Sequence, residues 1–62
     1  MSKTLEKLIK SDTEIRLLEY KTKDKFKYLV EFYVENHLVH IKKFDKLDPA
    51  LTYYNKAIRC YL

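Results

Sequence analysis

The chain has 62 residues, a net charge of +4 and 47% hydrophobic residues, so it forms at most one domain and can build a core. It contains no glycine and a single cysteine, which excludes glycine-rich phosphate loops and an internal disulfide bond. No apolar run approaches the ~20 residues of a membrane span, and the lack of a signal-peptide pattern favours a cytoplasmic location.

The first predicted element is a short amphipathic helix over residues 3–10. The spacing typical of one helical face is shown by Leu5, Leu8 and Ile9. Ser11-Asp12-Thr13-Glu14 then has a capping-box pattern that could begin a second helix. We instead predict a strand over residues 14–21, because the segment that follows is plainly a strand and requires a neighbour.

The clearest strand covers residues 26–35, where apolar and polar side chains alternate. The positions predicted to face the core are Phe26, Tyr28, Val30, Phe32 and Val34. A polar turn at residues 21–25 precedes this strand, and a turn at Glu35-Asn36-His37 follows it, with Asn36 tolerating a left-handed conformation. The short connection makes the third strand, residues 38–44, antiparallel to the second.

Asp48-Pro49 predicts the start of a C-terminal helix, with Asp48 as the cap and Pro49 at the first helical position. The residues expected to pack on the sheet are Leu51, Tyr54, Ile58 and Tyr61, while Ala50 and Ala57 allow close approach. The predicted fold is therefore a single α+β domain over residues 1–62. Its order is α-β-β-β-α: a short N-terminal helix, a three-stranded antiparallel meander and a C-terminal helix on one sheet face.

This topology predicts a basic region at one end of the sheet. The first turn, the end of the third strand and the start of the last helix all lie there, and they carry Lys21, Lys23, Lys25, Lys27, Lys42, Lys43 and Lys46. We call these seven residues the lysine pole. Three aspartates share this end (Asp24, Asp45 and Asp48), so seven minus three equals the net charge of +4. The lysine pole is expected to attract nucleic acid or an acidic protein surface. The alternative is a solvated turn that protects the sheet edge.

The outer face of the sheet is a second candidate binding surface. Leu29 and Tyr33 lie there beside Glu31 and Glu35, so the face is half apolar. We expect it to be covered by the N-terminal helix, by a second copy of the chain or by a partner protein.

Few residues of the chain are candidates for metal binding or catalysis. His37 and His40 are three residues apart on a strand, which predicts that they point to opposite faces and form no metal site with the distant Cys60. Cys60 is interpreted as a small packing residue. We therefore expect no enzymatic activity, no cofactor, no metal and no small-molecule substrate.

Two resemblances bear on function. The helix–three strands–helix order is similar to double-stranded-RNA-binding domains, which carry a lysine cluster where this sequence has Asp48-Pro49-Ala50-Leu51. Residues 26–60 resemble the closing strand and helix of two groups: three-strand-plus-helix DNA-binding modules, such as the arm-binding domains of phage integrases, and small phage and mobile-element proteins of the same build. The matching features are Phe44, the capped helix after it and an alanine–tyrosine spacing. In the DNA-binding modules the open sheet face is basic or polar and enters the major groove, whereas here it carries Glu31 and Glu35.

Together these patterns predict a small, non-enzymatic binding or regulatory protein that acts by protein–protein contact or self-association. The resemblance implies that it is encoded by a phage or mobile element. Its expected surfaces are Leu29, Tyr33 and the lysine pole. The alternative is a nucleic-acid-binding module that uses the lysine pole.

Overall fold

The structure is a computed structural model that describes residues 2–62. Its elements are β1 (Ser2–Lys10), β2 (Thr13–Lys21), β3 (Phe26–Val34), β4 (His37–Phe44) and α1 (Leu47–Tyr61). The four strands form one antiparallel sheet in chain order, and α1 packs across one face, mainly on β2 and β3. Among the described residues no element covers the other face, which we call the open face.

The predicted N-terminal helix and three-stranded sheet are wrong, because residues 2–10 form a fourth strand and the order is β-β-β-β-α. The helix-like spacing in this segment has a local cause. The pairing of β1 with β2 shifts between Thr4 and Glu6, so Leu5 is an extra, bulged residue. A bulge breaks the alternation of a strand by one position, and the resulting apolar spacing resembles a helical face.

The tertiary context explains why this segment prefers a strand. Ile15 and Leu17 on β2 are fully buried, and they require neighbouring strands on both sides. Pairing with β1 also occupies the backbone groups along the outer side of β2, which would otherwise form a sheet edge. Nine residues alone would form only a marginal helix in water, so this pairing decides the conformation.

The core lies between α1 and the covered face of the sheet. Its buried side chains are Ile15, Leu17, Val30, Phe32, Ala50, Tyr54 and Ala57. The predicted inward alternation of β3 is thus confirmed at its centre, whereas Phe26 and Val34 at its ends remain exposed. The Tyr54 hydroxyl donates a hydrogen bond to the carbonyl oxygen of Ile15, 3.4 Å away, which ties α1 to β2.

The C-terminal helix exists as predicted, but its start and its packed stripe differ. The N-cap is Lys46, whose side chain makes no capping hydrogen bond, so Asp48 lies inside the first turn and is not the cap. Its carboxylate still interacts favourably with the positive end of the helix dipole. Ala50 and Ala57 are buried as expected, which rotates the stripe so that Leu51 and Tyr61 are exposed.

The tight turns use positive φ angles without glycine. Glu35 and Asn36 have φ values of 52° and 67° between β3 and β4, and Ser11 has 56° between β1 and β2. Two consecutive positive φ angles are the signature of a type I′ hairpin turn. Asn36 fulfils the sequence expectation, whereas Ser11 and Glu35 adopt a conformation that costs such residues free energy.

Candidate binding surfaces around β4

The lysine pole is only partly a single cluster. The residues Lys21, Lys23, Lys25, Lys27 and Lys46 lie at the end of the sheet where β2 ends, β3 starts and α1 begins. Lys42 and Lys43 lie farther along β4, opposite Val30 and Leu29, and so on different faces of the sheet. The positive charge therefore extends from the end of the sheet along the outer strand β4.

Few of these lysines have a carboxylate partner. Within residues 2–62 one lysine of the pole forms an ion pair, Lys27 with Asp45. This hydrogen-bonded pair holds the pKa of Asp45 below its usual value and raises the pKa of Lys27. Lys21 places its ammonium 5.8 Å from the centre of the Phe26 ring. The remaining lysines of the pole leave their charge available to a partner.

The predicted contact residues Leu29 and Tyr33 lie half-buried on the open face of β3. Leu29 is directly opposite Leu18 of β2, and Tyr33 is directly opposite Glu14. Glu35 is not on this face, contrary to the expectation, because it forms the turn after β3.

A polar network that the sequence did not predict occupies the middle of the open face. Arg16 pairs with Glu14, and its guanidinium lies 4.4 Å from the centre of the Tyr33 ring. The Tyr33 hydroxyl donates a hydrogen bond to Glu31, 2.9 Å away, and this bond together with burial raises the pKa of Tyr33. Hydrogen bonding to Glu14 likewise raises the pKa of Arg16. Glu14 and Glu31 on this face thus both have polar partners within the sheet.

The exposed apolar side chains are concentrated beside β4. Ten large hydrophobic residues are exposed in the described part of the chain, and five of them lie on or next to this strand: Val34, Leu38, Val39, Ile41 and Tyr61. We call these five residues the β4 surface. Leu38 and Ile41 belong to the open face, where they oppose Tyr33 and Glu31, and Val39 and Tyr61 belong to the helix side. The β4 surface therefore extends around both sides of an outer strand.

A groove runs between β4 and α1 on the helix side. It has a volume of about 410 Å³, and its lining comprises Thr13, Phe32, Val34, Val39, His40, Tyr53 and Tyr61. Phe32 forms its floor, with ring centres 5.4 Å from His40, 6.2 Å from Tyr53 and 5.8 Å from Tyr61. Four aromatic rings thus meet in one concave surface.

A second β-bulge creates this groove. Phe32 pairs with His40 and Tyr33 with Leu38, so Val39 is the extra residue of β4. As a result the neighbouring residues Val39 and His40 both line the groove, although regular alternation would separate them. The same bulge places His37, opposite Val34, and His40 on the helix side, which corrects the prediction that they point to opposite faces.

Within residues 2–62, no three His, Cys, Asp or Glu side chains come close enough together to hold a metal ion. Cys60 is exposed and not packed, contrary to the prediction, and lies with Lys56 beside Tyr53 and Tyr61. Among the described residues, no helix has both the length and the apolar character needed to cross a membrane.

Comparison of the chain with protein-family models, curated proteins and solved structures gave no match.

Proposed function

We propose that this chain is a small, non-enzymatic binding protein of the cytoplasm that acts by protein–protein contact through the β4 surface. The observation that carries this proposal is the concentration of exposed apolar side chains on and beside one outer strand. Larger contiguous apolar patches on soluble proteins are typical of interaction sites. The origin that the resemblance implies, a phage or mobile element, is part of the proposal.

The open face also supports a protein-binding site beside β4. One of the covers considered for this face, the N-terminal helix, does not exist, because that segment is the outer strand β1. Leu29 and Tyr33 therefore stay accessible next to Leu38 and Ile41 of the β4 surface. Protein interfaces combine an apolar centre with aromatic residues and a polar rim, and this side of the molecule has all three.

The proposal is tested by affinity capture from cells of the native host, with nuclease-treated and untreated samples in parallel. The wild-type chain is compared with a variant carrying Leu38→Glu and Ile41→Glu, and with Ile9→Glu as control. Ile9 is an exposed aliphatic residue on the opposite outer strand, 57% accessible, so it has the same chemistry in a different place. We expect a protein partner that resists nuclease, is retained by the Ile9 variant and is lost with the β4 variant. Equal retention by both variants contradicts the proposal.

Nucleic-acid binding by the lysine pole is the second candidate function. It is favoured by one observation: only Lys27, among the pole residues, has a carboxylate partner within residues 2–62. Lysine provides point charges and not the two-pronged hydrogen bonding of arginine, so such binding would be independent of base sequence. Nuclease treatment in the capture experiment separates this function from protein contact.

A further inference from the structure

The outer strand β4 and the aromatic groove lie side by side. Nothing among the described residues pairs with the outer side of β4, because the sheet order ends with this strand. Every second residue of an outer strand directs its backbone amide and carbonyl away from the sheet, where an incoming strand can bind them. The groove begins on the helix side of this same strand.

We propose that β4 binds an extended segment of a partner protein as a fifth strand, and that alternate side chains of this segment enter the groove between β4 and α1. This inference rests on the proposed function and specifies the kind of partner. Strand addition supplies backbone hydrogen bonds, and pockets for alternate side chains supply specificity. β4 has eight residues, which corresponds to about 27 Å of extended chain.

The lining of the groove indicates which side chains of the partner segment would enter it. Tyr53 and Tyr61 on α1 face Val39 and His40 on β4, with Phe32 beneath them. Such rings give large contact areas at a low cost in conformational entropy, and they suit aromatic or branched aliphatic side chains. Side chains at every second position of the partner segment are therefore apolar.

The charge on β4 and around the groove indicates which residues lie between the apolar positions of the partner segment. The β4 sequence His37–Phe44 contains two lysines, two histidines and no carboxylate. Lys42 lies on the helix side beyond His40, and Lys43 lies on the open face. Lys56 on α1 lines a second pocket that shares Tyr53 and Tyr61 with the groove. The carboxylates that flank β4 along the chain are Glu35, in the turn before it, and Asp45, which directly follows Phe44 and pairs with Lys27. Lys42 and Lys43 thus have no carboxylate partner among the described residues. A partner segment with acidic residues between its apolar ones complements this charge.

The other outer strand offers no equivalent site. β1 contains Glu6 among its lysines, and α1 packs on β2, β3 and β4 more closely than on β1. Strand addition at β1 would therefore lack an aromatic groove for the alternate side chains. The two edges of the sheet thus provide a matched comparison within one molecule.

The inference is tested by selecting displayed random peptides of about 12 residues, which exceeds the length of β4, against the full chain. The enriched peptides are expected to alternate apolar residues with Asp or Glu. Their binding should shift the amide NMR signals of β4, Tyr53 and Tyr61 and leave those of β1 unchanged. Val39→Glu should weaken binding by about tenfold or more, and Ile9→Glu by less than about twofold. The two side chains are 59% and 57% exposed, so neither substitution disturbs the core.

Backbone pairing has a test of its own. N-methylation of alternate peptide amides removes the donors that face β4, whereas methylation of the intervening amides does not. One of these two peptides should lose about tenfold or more in affinity, and the other should keep its affinity apart from a small steric cost.

Three results overturn the inference: no enriched peptide, enriched peptides that are basic or helical, or signal shifts confined to the open face. Self-association through β4, detected by its concentration dependence, also overturns it, because a second copy then occupies the strand. The proposed function survives each of these results if Leu38→Glu with Ile41→Glu still abolishes capture of a protein partner. If that variant retains its partner, the proposed function fails, whatever the peptides show.

Discussion

The guanidinium of Arg16 stacks 4.4 Å above the ring of Tyr33, and the two residues connect Glu14 to Glu31 across the open face. The strand register explains this arrangement, since Glu14 is opposite Tyr33 and Arg16 is opposite Glu31. The two polar bonds join residues two apart on the same strand, Arg16 with Glu14 and Tyr33 with Glu31, and the diagonal pair Arg16–Tyr33 adds a cation–π contact between the strands. The middle of the open face is therefore polar and internally satisfied, and the apolar contacts available to a partner lie toward β4.

The hydrogen bond between Tyr33 and Glu31 should contribute to stability. We expect Tyr33→Phe to lower the free energy of unfolding by roughly 1 kcal/mol, because it removes the hydroxyl donor and leaves the ring in place. The measurement is urea unfolding followed by circular dichroism. Tyr20→Phe is the matched control: this tyrosine is also half-buried on the open face, and its hydroxyl makes no hydrogen bond within residues 2–62. Equal effects of the two substitutions would contradict the assignment.

Stability should fall in alkaline solution. Burial is the main cause that raises the pKa of Tyr28 and Tyr54, and the bond to Glu31 is the main cause for Tyr33. A raised pKa in the folded state means that the unfolded chain loses these protons first, from about pH 10. The stabilising contribution is therefore complete below about pH 10 and decreases as the pH rises through the folded-state values.

This pH dependence can be measured as the free energy of unfolding from neutral to strongly alkaline pH, with tyrosinate absorbance recorded in parallel. Because lysines titrate in the same range, variants are needed to identify the tyrosines. Tyr54→Phe should make the decrease less steep than in the wild-type chain. A decrease as steep as that of the wild-type chain would assign the effect to the lysines.

The turn between β3 and β4 offers a stabilising substitution. Glu35 and Asn36 both have positive φ, and the preferred sequence for such a type I′ turn is Asn-Gly. Replacing Glu35 with Asn and Asn36 with Gly should raise the free energy of unfolding by about 1 kcal/mol. Asp24→Gly, in the β2–β3 loop where no residue has positive φ, should instead destabilise the fold by about 0.5 kcal/mol. Thermal unfolding measures both effects: the midpoint temperature should rise for the Glu35/Asn36 variant and fall for Asp24→Gly.

The lysine pole gives a prediction specific to nucleic-acid binding. If this second candidate function holds, neutralising Lys21, Lys23 and Lys25 to Gln should weaken binding of a DNA duplex by about tenfold or more at about 50 mM salt. The dependence of affinity on salt should become shallower by a corresponding amount. Fluorescence anisotropy measures both quantities. A control variant with Lys7, Lys56 and Arg59 changed to Gln carries the same loss of three charges away from the pole. Absence of binding by the wild-type chain removes this function altogether.

Much of the fold could be predicted from local patterns. The alternation in residues 26–34 and the apolar residues of 38–44 identified β3 and β4, and Asp48-Pro49 identified the region where α1 begins. The choice of a strand over a capping-box helix for residues 14–21 is confirmed by β2. These segments are regular, so their spacing reports the secondary structure directly.

Two of the errors have a common physical cause. Leu5 and Val39 are the bulged residues of the two outer strands, and each shifts the alternation of its own strand by one position. A bulge is defined by pairing with a neighbouring strand, so the sequence of the strand alone does not reveal it. The helix predicted for residues 3–10 and the opposite faces predicted for His37 and His40 both follow from this. The groove beside β4 could not be predicted, because it too depends on the bulge at Val39.

The bulge at Val39 also limits the length of chain that β4 can accept. The pairing of β4 with β3 is continuous from His40 to Phe44 and shifts at Val39, so the outer side of the strand is regular over only five residues. A regular incoming strand can form backbone hydrogen bonds along those five residues. Beyond them its register no longer matches, unless it contains a bulge of its own. If β4 binds a partner strand as proposed, its outer side suits short segments better than long uniform strands such as the β-rich segments that drive fibre growth.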